Sequence, residues 1–285
     1  MPSPEVEMSQ QRVVLVTGAS SGAGQATARL LAEQGHRVFG TSRSPVTSGE
    51  GQGVTMVALD VRSDESVAAC VSAVAGSAGR LDILVNNAGY EQAGALEELS
   101  LDEAKAQFET NFFGVVRMVT AVLPLMRRQK GGQIINVSSL SGLAPIPFMG
   151  MYSASKFAVD GYTEALRLEV KPLNIRVSQI EPGFLRTPMM NRRQTARNPI
   201  ADYDPWRQRA YEAIREYEEK GPGPELVANA VLKIARSRTP RLRYIVGRQA
   251  VTITRLRRFL PEAAFERGAR SAFQLDRTSR RGSTL

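Results

Sequence analysis

The stretch Val13-Val-Leu-Val-Thr-Gly-Ala-Ser-Ser-Gly-Ala-Gly-Gln-Ala-Thr-Ala-Arg-Leu-Leu-Ala-Glu33 decides the fold. Val13–Val16 is an unbroken apolar run, as a strand buried on both faces requires, and Gln25 to Glu33 repeats apolar residues at helical spacing. Between them lie Gly18, Gly22 and Gly24. Strand, glycine turn and helix in that order allow the backbone to approach a pyrophosphate, whose charge meets the free N–H groups of the helix start. Glycines serving only a tight turn are the plainer alternative.

Working outward, apolar runs at Arg37–Thr41, Thr55–Leu59, Ile83–Val85, Gln133–Ser138, Ile175–Glu181 and Tyr244–Val246 alternate with helical patterns. The alternation predicts one α/β domain: a doubly wound, Rossmann-type parallel sheet of about seven strands with helices on both faces. The polar motifs fall at the carboxyl ends of these strands, where open α/β sheets bind ligands.

Tyr152 and Lys156 are four residues apart at the start of an apolar-periodic segment, Tyr152 to Val170, so a helix sets both on one face. A phenol ordinarily titrates near pH ~10. A neighbouring ammonium and a helix N-terminus both favour the phenolate, which predicts a Tyr152 drawn down toward a useful acid–base range. Ser139 adds a hydroxyl, so the three groups suit proton exchange with a carbonyl or alcohol oxygen. Strand alternation points the adjacent Ser138 the other way.

Thr17-Gly-x-x-x-Gly22-x-Gly24, Asn86-Asn-Ala-Gly89, Asn111, Ser139 and Tyr152-x-x-x-Lys156 together resemble the short-chain dehydrogenase/reductase family, over about Val13 to Gln274. The surroundings of these motifs are similar to its hydroxysteroid and retinol dehydrogenase-like branch. The resemblance implies Tyr152 as proton donor or acceptor, Lys156 on the nicotinamide ribose and lowering the tyrosine pKa, and Ser139 on the substrate oxygen. It implies that Asn111 holds a water linking the lysine to solvent, although a buried amide bending its helix accounts for the same residue. It also implies cofactor contacts from Thr17, Gly18, Ser20, Ser21, Gly22, Ala23 and Gly24 in the loop, and from Asp60 and Val61 beside the adenine. Asn87, Ala88 and Gly89 are implied at the cofactor's centre, and Pro182, Gly183 and Thr187 near its carboxamide.

Cofactor choice turns on the end of the second strand. Ser42 stands where an acid would accept a ribose diol, and Arg43 follows with a fork suited to phosphate. NADP(H) is therefore expected over NAD(H); an arginine stacked on adenine is the alternative. Leu140, Pro145, Ile146, Phe148 and Met149 suggest an apolar pocket for a lipophilic ketone or secondary alcohol, steroid-, retinoid- or otherwise ketone-like. Glu91 stands where members of the branch often carry glycine, which leaves room for a polar or cationic substituent. An NAD(H) dehydrogenase of the same class and a non-catalytic NAD(P)-binding regulator are the competing readings.

Residues 1–11 read as a loose arm, 12–250 as the catalytic domain and 251–285 as a basic extension. Within the domain, Thr187 to Gly223 abandons the sheet rhythm and is the expected substrate lid. The chain carries 37 Lys and Arg against 28 Asp and Glu, a net charge of +9. Eleven arginines against three acids after residue 240 supply most of that excess, so nucleic-acid binding is not expected of the chain as a whole. In the tail, Phe259 and Leu260 interleaved with arginines suggest a cap on the substrate cleft, a subunit contact or contact with an anionic membrane; a solvated face is the plain alternative. One cysteine, Cys70, one histidine, His36, and no Cys/His cluster predict neither disulfide nor metal site. Cys70 reads as core packing and His36 as a surface residue. No apolar run approaches the ~20 residues that span a bilayer and no secretory start is visible, so a soluble cytoplasmic protein is expected. The resemblance further implies a homodimer or homotetramer, through the helices around Leu101–Arg128 and Tyr152–Val170.

Overall fold

Seven runs of mainly β-branched and aliphatic residues pair side by side, all parallel. In the computed structural model, which describes residues 11–44 and 53–276, the strands in chain order are β1 (Val13–Val16), β2 (Arg37–Ser42), β3 (Val54–Ala58), β4 (Ile83–Asn86), β5 (Gln92–Ala93), β6 (Gly132–Val137), β7 (Ile175–Pro182), β8 (Gln194–Thr195) and β9 (Arg243–Val246). The main sheet runs β3-β2-β1-β4-β6-β7-β9, while β5 and β8 form a separate short parallel pair. Strand order reverses at β1, which opens a crevice between the β1 and β4 carboxyl ends.

Helices cover both faces: α1 (Gly22–Glu33), α2 (Asp64–Ala78), α3 (Leu101–Phe108), α4 (Gly114–Arg128), α5 (Gly150–Val170), α6 (Asp204–Glu219), α7 (Glu225–Arg236), α8 (Arg248–Phe259) and α9 (Glu262–Ala272). The two-residue period of β1 divides the core. Val13 and Leu15 face the layer holding Cys70, Val74, Met118, Val122 and Val159 of α2, α4 and α5. Val14 and Val16 face Leu31 of α1 and Val231 and Ile234 of α7. Each fully buried aliphatic side chain contributes roughly 1.5–3 kcal/mol of transfer free energy, and Leu15, Leu31, Met118 and Ile234 are all wholly enclosed. Burial also pushes the Cys70 thiol up to about 11, as suits a packing residue.

Several expectations change. His36 is 8% exposed and not a surface residue: its Nδ1 accepts the Arg12 N–H, and burial together with nearby Arg12 and Arg236 lowers its pKa. No uninterrupted apolar run approaches ~20 residues, yet Leu101–Arg128 forms one continuous 28-residue helix that is long and apolar enough to cross a bilayer by length and composition, its best window having a mean hydropathy of 1.2. Here it packs Met118, Val119, Val122 and Met126 into the core. The boundary expected after residue 250 falls inside α8, and Ala250 is fully buried beside Leu140 and Ala144. Phe259 and Leu260 are 77% and 40% exposed, so they do not cap the cleft; Phe273, after α9, packs in the cluster that contains Tyr152. The arm (1–10) and the last arginines of the tail (277–285) lie outside the described residues.

Candidate active site

The loop after β1 takes its shape from two positive-φ glycines, Gly18 at 67° and Gly22 at 57°. At the start of α1, Ser21 makes no side-chain cap and the first turn carries no acid. The opening N–H groups of α1 and its positive dipole end therefore stay available to an anion, which fits a pyrophosphate. Thr17 and Gly24 do not line the cleft; they shape it. Thr17 Oγ1 accepts the N–H groups of Asn87 at 2.9 Å and Ala88 at 3.0 Å, which ties the β1 loop to the β4 loop. A Cβ on Gly24 would lie 2.3 Å from Gly18 O and 2.4 Å from Asn87 Nδ2, so only glycine lets the helix sit this close.

Past β6 the chain turns sharply. Ser138 Oγ donates to Asp160, within a buried group where Arg243 bridges Asp160 and Glu181. Ser139 Oγ accepts the Ser141 N–H at 3.1 Å and stands near enough to the Tyr152 phenol to favour its ionised form. The two serines thus diverge as strand alternation requires. Tyr152 and Lys156 lie one turn apart on α5, with Lys156 Nζ 5.8 Å from the Tyr152 ring centroid and donating to Val137 O at 3.0 Å.

The phenol departs from expectation. Burial pushes the Tyr152 pKa up, reinforced by Glu91, and this outweighs the opposing Ser139 hydroxyl and Arg193. Burial also lowers the Lys156 pKa, to about 8, so the ammonium that was to favour the phenolate is itself destabilised.

Asn111 sits in a π-helical turn, Glu109–Phe113, between α3 and α4. Its amide closes on the backbone of Tyr90: Oδ1 accepts the Tyr90 N–H at 3.1 Å and Nδ2 donates to Tyr90 O at 3.0 Å. It is 1% exposed and does not line the cleft, although a Cβ on Gly89 would lie 3.1 Å from its Oδ1 and 3.9 Å from Lys156 Nζ. Its hydrogen bonds thus fix the β4 loop at Tyr90, with Gly89 between it and the lysine.

The remaining expected residues line one continuous cleft: Gly18, Ser20, Ser21, Gly22 and Ala23 at one end, Ser42, Arg43, Asp60 and Val61 along β2 and β3, then Asn87, Ala88 and Gly89, and Ser139, Tyr152, Lys156, Pro182, Gly183 and Thr187 opposite. Of the apolar set, Leu140, Ile146 and Met149 contribute to the wall. Pro145 is exposed instead, and Phe148 packs edge-on to Tyr203 and Tyr211.

Four charged residues in the cleft were not assigned a site role from the sequence. Arg62 grips the Asp60 carboxylate with two nitrogens, which lowers the Asp60 pKa to about 2. Arg192 donates to Ser21 Oγ at 3.3 Å and so reaches the glycine loop. Arg193 binds Glu91 at 2.7 Å and Glu218 at 2.5 Å, with all three side chains at most 13% exposed. The adjacent Arg192-Arg193 pair was the available signal, but its partners lie about 100 residues upstream and 25 downstream. The segment expected as a lid borders the cleft through Met189, Arg192, Arg193 and Gln194, and is fastened by β5–β8 pairing, by Gln194 N donating to Glu91 O at 2.9 Å, and by Arg207 on the buried Glu98.

The family model "short chain dehydrogenase" matches residues 12–198. The 3-ketodihydrosphingosine reductase of Bacteroides thetaiotaomicron is 44% identical over 242 residues, covering 84% of this chain and 88% of the relative. Retinol dehydrogenase 8 of Bos taurus is 40% identical over 252 residues, covering 81% and 80%. Among solved structures, a short-chain dehydrogenase from Streptomyces avermitilis superposes with a TM-score of 0.79 at 29% identity, over 94% of this chain and 99% of the other.

Proposed function

The chain belongs to the short-chain dehydrogenase family, an oxidoreductase family acting on CH–OH or carbonyl groups with nicotinamide cofactors, and from that premise we propose that it is an NADP(H)-dependent enzyme interconverting a lipophilic ketone and its secondary alcohol. One observation carries the reading: Tyr152, Ser139 and Lys156 line the same cleft that ends in an uncapped helix start and in Arg43.

When bound, the dinucleotide supplies or accepts the hydride at its nicotinamide ring. Gly18, Gly22 and the first N–H groups of α1 would hold the pyrophosphate, helped by Arg192. Arg43 takes the added ribose phosphate, since no acid stands at Ser42 to repel it. Ser139 orients the substrate oxygen by hydrogen bonding. In reduction Tyr152 gives that oxygen its proton; in oxidation the phenolic oxygen takes the proton back. Because burial disfavours the phenolate, neutral Tyr152 is the form present at neutral pH, which suits proton donation and the reductive direction.

Apolar side chains from Leu140, Ile146, Met149, Met189 and Ile214 support a lipophilic substrate. The names of the two relatives, which specify a sphingoid ketone and retinol, support it as well. Exposed Phe113 and Phe157, on the faces of the Leu101–Arg128 helix and α5, support a homodimer or homotetramer built through those helices. Titrating NADPH and NADH, then screening lipophilic ketones for NADPH consumption, tests the reading. Tighter NADPH binding and turnover of an apolar ketone are expected; equal affinities would remove the NADP preference, and no turnover would remove the substrate class.

A further inference from the structure

Glu91, Arg193 and Glu218 form a buried group with two carboxylates and one guanidinium. Arg193 Nε and Nη2 both reach Glu91 Oε2, at 2.9 and 2.7 Å, and Nη2 also reaches Glu218 Oε1 at 2.5 Å. With both acids ionised the group carries one net negative charge. Glu218 is 6% exposed, lines the cleft, and its Oε2 has no hydrogen-bond partner among the described residues. A buried carboxylate oxygen without a donor is costly, and a second cation would offset it.

The group lies where it can act on substrate. All three residues line the same cleft as Tyr152, and their charges reach its phenol. A role confined to fastening the lid leaves the surplus acid unexplained, because β5–β8 pairing and the Arg207–Glu98 bridge already fasten that segment. Arg193 cannot serve as a free anion site while two carboxylates occupy it. The wall beyond is apolar, with Met149, Ile146 and Ile214, so a polar head near the reacting carbon and a hydrocarbon tail match the lining.

We propose that Glu91 and Glu218, spaced by Arg193, form a subsite for a substrate ammonium on the carbon next to the carbonyl, so that the enzyme selects long-chain 2-amino-3-ketones over uncharged ketones of the same length. This deepens the reductase reading above and rests on it. The ammonium supplies the missing donor to the carboxylates, and the same bond fixes the carbonyl oxygen toward Tyr152 and Ser139. An uncharged ketone leaves the surplus carboxylate unpaired, and that is the source of the discrimination.

The test compares kcat/KM for a long-chain 2-amino-3-ketone and its desamino analogue, with NADPH, in the wild type, Glu91→Gln and Glu218→Gln. Assays run at about pH 7.5, above the value of about 7 to which burial raises Glu218, and below the range of about 7.7–8.0 of an amine beside a carbonyl. The wild type should prefer the amino ketone by tenfold or more, and each variant should lower that ratio by roughly tenfold, the size of one charge-assisted hydrogen bond. NADPH titration and thermal melting check that the variants fold and bind cofactor. If Glu218→Gln fails to fold, Glu91→Gln on the cleft side carries the test. An unchanged ratio with a lowered melting temperature means a purely structural cluster and overturns the proposal, as does a wild type that prefers the desamino ketone. Turnover of neither ketone with intact NADPH binding overturns the reductase reading itself, a result distinct from loss of the preference.

Discussion

Replacing Gly24 with alanine tests whether the glycine loop is built for close backbone contact or only for turning. The added Cβ would stand 2.3 Å from Gly18 O, where ordinary contact begins near 3.4 Å, so helix and loop must separate by roughly 1 Å. The second obstacle, Asn87 Nδ2, is held by Thr17 O at 3.0 Å and cannot swing away freely. Overpacking of this kind costs about 1–3 kcal/mol, against a helix-propensity gain of about 1 kcal/mol from Gly to Ala. The net loss is up to about 2 kcal/mol, a fall of a few degrees in Tm for a chain of this size. The larger effect should be on binding. Moving Gly18 and the start of α1 weakens one charge-assisted contact to the pyrophosphate, about 1.5–3 kcal/mol, or roughly 10- to 100-fold in NADPH Kd. Gly76→Ala, in α2 with nothing within 4 Å of the new Cβ, is the matched control and should stabilise by about 0.5–1 kcal/mol with unchanged affinity. Fluorescence titration with NADPH and thermal melts on both variants give the answer. Wild-type affinity together with a raised Tm in Gly24→Ala would refute the reasoning.

Tyr152→Phe should keep the fold and NADPH binding but lose roughly 10²–10⁴-fold in turnover; near wild-type kcat would remove the proton-transfer role. Arg43→Ala should weaken NADPH far more than NADH, and adding Ser42→Asp should favour NADH; equal losses in Kd would mean that Arg43 stacks on adenine. Lys156, lowered to about 8 by burial, carries its ammonium below that value and loses it above. Reductive kcat/KM should therefore hold at neutral pH and fall as pH rises through about 8, while Lys156→Arg, if active, should show no such fall; a flat wild-type profile would contradict the assignment. Sedimentation at working concentrations should show a dimer or tetramer, with Phe157→Glu shifting it toward monomer.

The sheet was legible because its strands are short apolar runs bounded by glycine and polar residues, so Val13–Val16 was read at its full extent and the other six lie within a residue or two of their observed ends. The cleft was legible for a related reason: in a doubly wound sheet the carboxyl ends of the strands converge, so Thr17–Gly24, Asn87–Gly89 and Ser139 had to meet. Long-range polar pairing was not. Arg193 with Glu91 and Glu218, or Thr17 Oγ1 with the Asn87 and Ala88 amides, depends on side chains far apart in sequence, whose charge or hydroxyl reads locally as surface. The upward shift of Tyr152 was missed because spacing reveals the neighbouring ammonium but not the depth of burial that opposes it. His36 was misread likewise: a lone histidine before a strand gives no hint that Arg12 will bond its ring.

Hydride transfer is the central claim, and isotope transfer reads it directly. NADPH carrying deuterium at one face of the nicotinamide C4 would be incubated with the enzyme and a long-chain ketone, and the alcohol examined by mass spectrometry. One of the two labelled faces should deliver a single deuterium to the carbinol carbon, with one NADPH consumed per alcohol formed and labelled product accumulating roughly 10²–10⁴-fold more slowly with Tyr152→Phe. Tight NADPH binding without labelled alcohol from any long-chain ketone, amino or desamino, would contradict the account.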